Sequence, residues 1–197
     1  MPPLDLVTWN RPKISIPIFA LVISSLMGFF TQITSANEPA IAIPIRLIIS
    51  SITLDSAIVP VGWKKVEIEG QTYGQWLADD NLVGWHNLSA PLGQPGNTVL
   101  NGHSNTYAKV FQNLHRVQIG DEISAFSGDQ VYRYRVVYKL LVQEKGVSMA
   151  ERLENAQLIM PTPDERLTLI TCSYPGATHR LIIIAYPTTK VVTTALQ

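Results

Sequence analysis

Cysteine is nearly missing from this chain: Cys172 is the only one in 197 residues. A single thiol excludes an intrachain disulfide and any cysteine-rich zinc or iron–sulfur site. Cys172 is therefore either an inert buried side chain or a reactive thiol. Charge is scarce too. Charged residues make up 15% of the sequence, well under the roughly one quarter of an ordinary domain. Basic and acidic residues balance at 15 each, so nothing favours a nucleic acid or an anionic surface as partner. Internal repeats and low-complexity segments are absent. The apolar share, 46%, is ordinary, and the length suits one domain plus an extra segment.

Much of the missing charge is missing from one place. After Arg11 and Lys13 comes "ISIPIFALVISSLMGFF", Ile14 to Phe30, and the first acidic residue beyond it is Glu38. A spanning helix needs roughly 17–25 apolar residues, which this run supplies at the short end. Pro17 sits in the first turn, where a missing N–H costs little. The sequence thus predicts a cytoplasmic segment 1–13, a transmembrane anchor over 14–33, a linker over 34–44 and an extracytoplasmic domain over 45–197. The orientation follows from Arg11 and Lys13 on the N-terminal flank. Two other readings stand beside it. Thr34 and Ala36 are small enough to precede a signal-peptidase cut, and a buried core helix has the same composition. The closing "VVTTALQ" is too short for a second membrane helix.

From Ile45 onward the pattern is strand-like. "IRLIISSITLDSAIVPVGW" reads as a strand, a polar break at Thr53 to Ser56, and a second strand over Ala57 to Val61. In "VYRYRVVYKLLV", Val131 to Val142, the even positions are apolar or aromatic, while Arg133, Arg135 and Lys139 share the odd ones. That period of two predicts one face on a core and one in water. Further strands are expected at Asn97 to His103, Glu122 to Phe126, Arg166 to Cys172 and Arg180 to Tyr186. Turn signals separate them: Pro95-Gly96, Gly120-Asp121, Ser127-Gly128-Asp129 and Pro175-Gly176. Short helices are expected at Gln75 to Asp79, Tyr107 to Leu114 and Ser148 to Asn155. Many short strands and few helices point to a mainly β fold, a closed barrel or a sandwich.

Thiol chemistry needs a base or cation near the sulfur and a donor for the developing oxyanion. If Arg166–Cys172 and Arg180–Tyr186 pair antiparallel, Cys172 and Arg180 share one rim. Thr168, Ile170 and Cys172 then face one way, and Leu167, Leu169 and Thr171 the other. Among the four histidines, His103 ends a strand-like "NTVLNGH" and opens the polar loop "SNT". A group at a strand end is held by the scaffold yet open to substrate. His86 in "GWHNLSAP", His115 and His179 read as solvated or loop-packing residues, with groove roles open for His86 and His179.

The set "LTLITC" ending in Cys172, "HR" ending in Arg180 and the upstream "NGH" ending in His103 resembles the sortases, cysteine transpeptidases of the cell surface. "GWHNLSAPLGQPGNTVLNGHSNT" is similar to the segment that leads into the sortase histidine, and Gly120-Asp121 fits as well. The resemblance runs from about Ile45 to Tyr186, and a class D/E-like member is the nearest in character.

The resemblance implies a closed barrel of about eight strands with a few short helices. It implies that Cys172 attacks a threonine-like carbonyl in a C-terminal LPXTG-like sorting signal, giving a thioacyl enzyme. His103 would protonate the leaving amine and later take a proton from the incoming one, and Arg180 would hold the tetrahedral intermediate. Thr171, Ile170 and Ile182 are the expected substrate contacts, Thr171 chiefly by shaping the strand around the cysteine. The implied partners are surface proteins with a sorting signal, an amine acceptor of the cell wall or a pilin, and the membrane. No cofactor or metal is expected, although Asp79, Asp80 and Glu122 leave calcium modulation open. A hydrolytic cysteine peptidase of the same fold and a non-catalytic membrane-anchored barrel remain as alternatives. An L,D-transpeptidase fits poorly, because "LIT" rather than Ser-x-Gly precedes Cys172.

Overall fold

In the computed structural model, residues 41–68, 70–173 and 178–188 are described. The expected membrane segment 14–33, the turn at Pro175-Gly176 and the closing "VVTTALQ" lie outside them. Among the described residues no helix is long and apolar enough to cross a membrane. Ala42 and Pro44, at the end of the expected linker, are already buried, and Ala42 O accepts from Leu92 N.

Eight strands close into a barrel. In chain order these are β1 (Arg46–Ile49), β2 (Leu54–Val61), β5 (Val83–His86), β6 (Gly96–Asn101), β7 (Glu122–Ser127), β8 (Gln130–Gln143), β9 (Glu165–Ser173) and β10 (His179–Pro187). Around the barrel they run β1-β2-β5-β6-β9-β10-β8-β7, and β7 pairs back onto β1. Two pairings are parallel, β2 with β5 and β6 with β9. The β2–β5 crossover carries a separate hairpin, β3 (Trp63–Ile68) and β4 (Gln71–Trp76). The β8–β9 crossover carries the helix α1 (Met149–Ala156). Alternate residues fill the interior: Leu47 and Ile49 from β1, Leu167 and Leu169 from β9, and Leu181, Ile183 and Ala185 from β10. That alternation is what a half-buried strand demands.

Several local expectations give way to tertiary context. The polar break after β1 falls earlier, as a 3-10 turn at Ser50–Ile52 closed by Thr53 in the left-handed region. Thr53 to Ser56 is therefore not the break; β2 starts at Leu54. Gln75 to Asp79 is not a helix, because Gln75 and Trp76 pair with Lys64 and Trp63 across the hairpin. Tyr107 to Leu114 is not one either. Tyr107 and Lys109 have φ of 55° and 53°, which interrupts any right-handed turn. The third helix forms where the sequence caps it: Ser148 Oγ accepts from Glu151 N at 3.2 Å, a serine and glutamate at capping-box spacing.

The most consequential departure is in β8. Tyr132, Tyr134 and Val136 face the interior as the alternation requires. A bulge then shifts the register against β10, so that Ala185 pairs with Val136 but Ile184 with Tyr138. One extra residue reverses the faces beyond it. Tyr138 becomes 50% exposed, while Leu140 and Val142 align with Ile182 and Arg180 rather than with the core. Lys139 turns the other way and donates to the carbonyls of His115 and Val117, at 2.7 and 2.9 Å. The even-numbered apolar face is thus split between core and exterior.

Leu169 is fully buried in the interior, next to the face that carries Cys172. Leu169→Ala is expected to cost about 2–5 kcal/mol, as cavities in packed interiors do, read as a lowered urea midpoint with unchanged slope.

Candidate active site

The parallel pairing of β6 with β9 runs from Gly96 opposite Glu165 to Asn101 opposite Ile170. Both strands therefore leave the barrel at the same rim. Two side chains tie their ends together: Thr171 Oγ1 donates to Gly102 O at 2.7 Å, and Ser104 Oγ donates to the carbonyl of Cys172. The backbone on either side of His103 is thus pinned to that on either side of Cys172. β10 returns antiparallel from the same rim, with Arg180 directly opposite Cys172. Arg180 Nη1 donates to Cys172 Sγ at 3.1 Å.

His103 is held by its own loop. Its carbonyl accepts from Phe111 N at 2.8 Å, its Nδ1 lies 3.2 Å from Thr106 Oγ1, and the Tyr107 ring tilts against it at 4.8 Å. Gly102 makes the close approach possible, since a Cβ there would meet Val110 Cγ1 at 2.7 Å and Phe111 Cδ2 at 2.9 Å. Cys172, His103 and Arg180 all open on one groove of about 530 Å³. Ile170, Ile182 and Val142 continue the strand face that bears Cys172 and Arg180. The β3–β4 hairpin adds Val66 and Tyr73, and α1 adds Met149 and Leu153.

The groove thus combines a thiol with a guanidinium in contact, an imidazole, and an apolar strand face. That is the equipment of acyl transfer through sulfur. The family model described as the sortase domain matches residues 47–188. The chain belongs to the sortase family. Sortases are cysteine transpeptidases, so a thiol that forms the acyl intermediate is expected of this fold. Solved relatives agree in architecture. A sortase D5 transpeptidase of Clostridium perfringens superposes with a TM-score of 0.55 at 19% identity, covering 74% of this chain and 79% of its own. A lid mutant of sortase A from Corynebacterium diphtheriae gives 0.55 at 23%, covering 75% and 70%. Sortase E of Streptomyces avermitilis gives 0.53 at 22%, covering 75% and 90%. At these identities the likeness is one of fold, and it does not single out one sortase class. No curated protein matches the chain.

The remaining expected residues fall as follows. Ile170 and Ile182 pair across β9 and β10 and line the groove, Ile182 almost fully buried. Thr171 is 4% exposed with its hydroxyl committed to Gly102 O, which leaves it a shaping residue rather than a hydrogen-bond donor to substrate. Asp79 Oδ1 accepts from the amides of Asn81 and Leu82, and Glu122 pairs with Arg133 at 2.6 Å. Among the described residues no three acidic, His or Cys side chains gather as an ion site.

His86 is a correction. It is the last residue of β5, only 2% exposed, with the Trp76 ring stacked on it at 4.1 Å and 12°. The flanking turn residues hid it, because the strand that ends at His86 is only four residues long. Ser104, Thr106 and Tyr107 also join the site, by contacts that sequence alone does not single out. The polar run after His103 was their one signal. His179 begins β10, with Thr178 Oγ1 2.9 Å from its Nδ1, and His115 Nδ1 lies 2.9 Å from Gln112 O.

Burial pushes His86 down from 6.5 to about 3. The unfolded chain therefore binds one more proton than the folded one between those values. Stability from this group is full above pH 6.5 and falls with pH toward 3, by about 1.4 kcal/mol per pH unit. Comparing urea unfolding of wild type and His86→Phe across pH 4 to 7, about the window where the group titrates, is expected to show that part of the slope vanish. Parallel curves would contradict it.

Proposed function

We propose that this sortase is membrane-anchored through residues 14–33, faces outward, and joins a protein with an LPXTG-like C-terminal sorting signal to a cell-surface amine. The observation that carries the reading is the 3.1 Å contact between Arg180 Nη1 and Cys172 Sγ, in a groove that His103 also lines. The uncharged stretch behind Arg11 and Lys13 supports the anchor and its orientation.

In the first half-reaction the Cys172 sulfur attacks the carbonyl carbon of the threonine-like residue. The carbonyl electrons move onto oxygen, where the Arg180 guanidinium meets the new charge. Arginine suits this better than lysine, because it stays charged and offers several donors in a fixed plane. As the C–N bond breaks, protonated His103 gives its proton to the leaving nitrogen, and a thioacyl enzyme remains. In the second half an amine attacks the thioacyl carbon, the C–S bond breaks, and neutral His103 takes the surplus proton. One imidazole serves both directions because the same ring nitrogen can give up a proton and later take one. Ile170 and Val142, both partly exposed, supply the apolar surface along which the sorting signal lies.

Cys172→Ala is expected to abolish cleavage of sorting-signal peptides by the purified chain. His103→Ala and Arg180→Ala are each expected to lower kcat/KM by about 10²–10⁴-fold, the usual range for losing a proton-transfer group or an oxyanion donor. Mass spectrometry of the products in the presence of an amine decides the acceptor. Amide product supports the transpeptidase, and free acid alone under abundant amine would make the chain a hydrolase.

A further inference from the structure

The imidazole of His103 lines the groove, but the side chain that holds it does not. His103 Nδ1 lies 3.2 Å from Thr106 Oγ1, and Thr106 is absent from the groove lining that includes His103 and Tyr107. Among the described residues the ion pairs are Arg46–Asp55, Arg133–Glu122 and Arg152–Glu144, so no carboxylate pairs with the ring. A neutral hydroxyl stands where hydrolytic triads place a carboxylate.

The backbone around Thr106 fixes that hydroxyl. Thr106 O accepts from Lys109 N at 3.2 Å, Ala108 N donates to Asp80 O at 3.1 Å, and Phe111 N closes the loop onto His103 O at 2.8 Å. The Tyr107 ring tilts against the imidazole at 4.8 Å. The ring is therefore bounded on one face and at Nδ1. Nε2 bonds to no described residue.

The direction of the Nδ1 bond follows from the charge states the ring must pass through. A protonated imidazole carries hydrogen on both nitrogens and accepts at neither. In that state Nδ1 donates and the threonine oxygen accepts, while the hydroxyl proton turns to water, to which Thr106 is exposed. When the ring loses one proton, this arrangement survives only if the proton leaves from Nε2. Loss from Nδ1 would force the hydroxyl to rotate and donate, then rotate back each time the ring is recharged. A bond at one ring nitrogen thus assigns the proton exchange to the other.

We propose that Thr106 is a positioning residue whose hydroxyl accepts from Nδ1–H in both charge states of His103 and so confines proton exchange to Nε2. The inference rests on His103 as the proton-transfer group, and adds which nitrogen works and what assigns it. In the first half-reaction the Nε2 proton goes to the leaving nitrogen. In the second, a proton of the incoming amine returns to Nε2, and Nδ1 keeps its own throughout.

Two measurements on the full chain test this. Nitrogen-15 spectra of histidine-labelled protein, with His103 assigned by the signal lost in His103→Gln, show which ring nitrogen carries the proton. In alkaline solution, where a histidine ring is neutral, the expected result is a protonated Nδ1 and a bare Nε2. The Nδ1–H form is expected to diminish in Thr106→Val and to persist in Thr106→Ser. A bare Nδ1 in the wild type overturns the proposal, and this spectrum decides alone should the valine variant not fold. In peptide cleavage, Thr106→Val is expected to lower kcat about tenfold, the upper range for one hydrogen bond, with KM unchanged because Thr106 does not line the groove. Thr106→Ser is expected to restore the rate, and equal kcat in wild type and Thr106→Val also overturns the proposal. A wild type that cleaves no sorting-signal peptide would instead sink the transpeptidase reading, and the spectrum would still decide the Thr106 bond.

Discussion

The parallel pairing of β6 with β9 is the constraint on which the rest of the site depends. Parallel neighbours point the same way, so whatever follows Asn101 and whatever follows Ile170 emerge together. This brings residues far apart in sequence, His103 and Cys172, to one rim. Strand pairing alone fixes the register only to the last ladder bond. The remaining precision comes from Thr171 and Ser104, whose hydroxyls reach across to the carbonyls of Gly102 and Cys172. A hydroxyl bound to a backbone carbonyl in a buried setting is costly to break. The ends of the two segments are therefore held against each other. Arg180 needs no such device, because antiparallel pairing alone puts it opposite Cys172.

The groove is built from the outside of the barrel, which explains why so much apolar surface lies there. A closed barrel fills its interior with side chains and leaves no room for a peptide. The groove lies on the outer face instead, and that face has to be apolar without collapsing into the core. The bulge in β8 does this for Leu140 and Val142, moving them from the interior set to the row of Ile182 and Arg180. The crossovers then supply walls: the hairpin β3–β4 between two parallel strands, and α1 between the long β8 and β9. The parallel β2–β5 pairing obliges a crossover, so that groove wall and the topology have a common origin.

These relations mark what the sequence could disclose. Cys172, Arg180 and the parity of β9 were legible because they lie in two adjacent strands with clean alternation, where register follows from the connection. The closed mainly β barrel was legible from the number of short alternating runs and from the motifs around Cys172, His103 and Arg180. The bulge at Val136–Tyr138 was not. It leaves the alternating letters intact and shows only in the partner strand. The sequence suggests a helix at Gln75 to Asp79, because the hairpin's pairing depends on Trp63, well upstream. His86 reads as a loop residue in the sequence because what buries it, the Trp76 ring, arrives from that same hairpin. Local propensity reports local structure, and each of these is a long-range contact.

The loop that carries His103 shows a last consequence of the same geometry. Tyr107 and Lys109 adopt the left-handed region with side chains that disfavour it, at a cost of roughly 1–3 kcal/mol each. Such a conformation persists only where neighbouring contacts over-determine it. Here Phe111 N holds the His103 carbonyl, Ala108 N holds Asp80 O, and Thr106 and Tyr107 bracket the imidazole. A helix over these residues, as their composition suggests, would carry the Tyr107 ring away from His103 and break the tie to Asp80. The strained turn keeps both against the groove. The loop gives up local comfort for an imidazole held on one side by Thr106 and lining the groove, as the proposed two-way proton transfer requires.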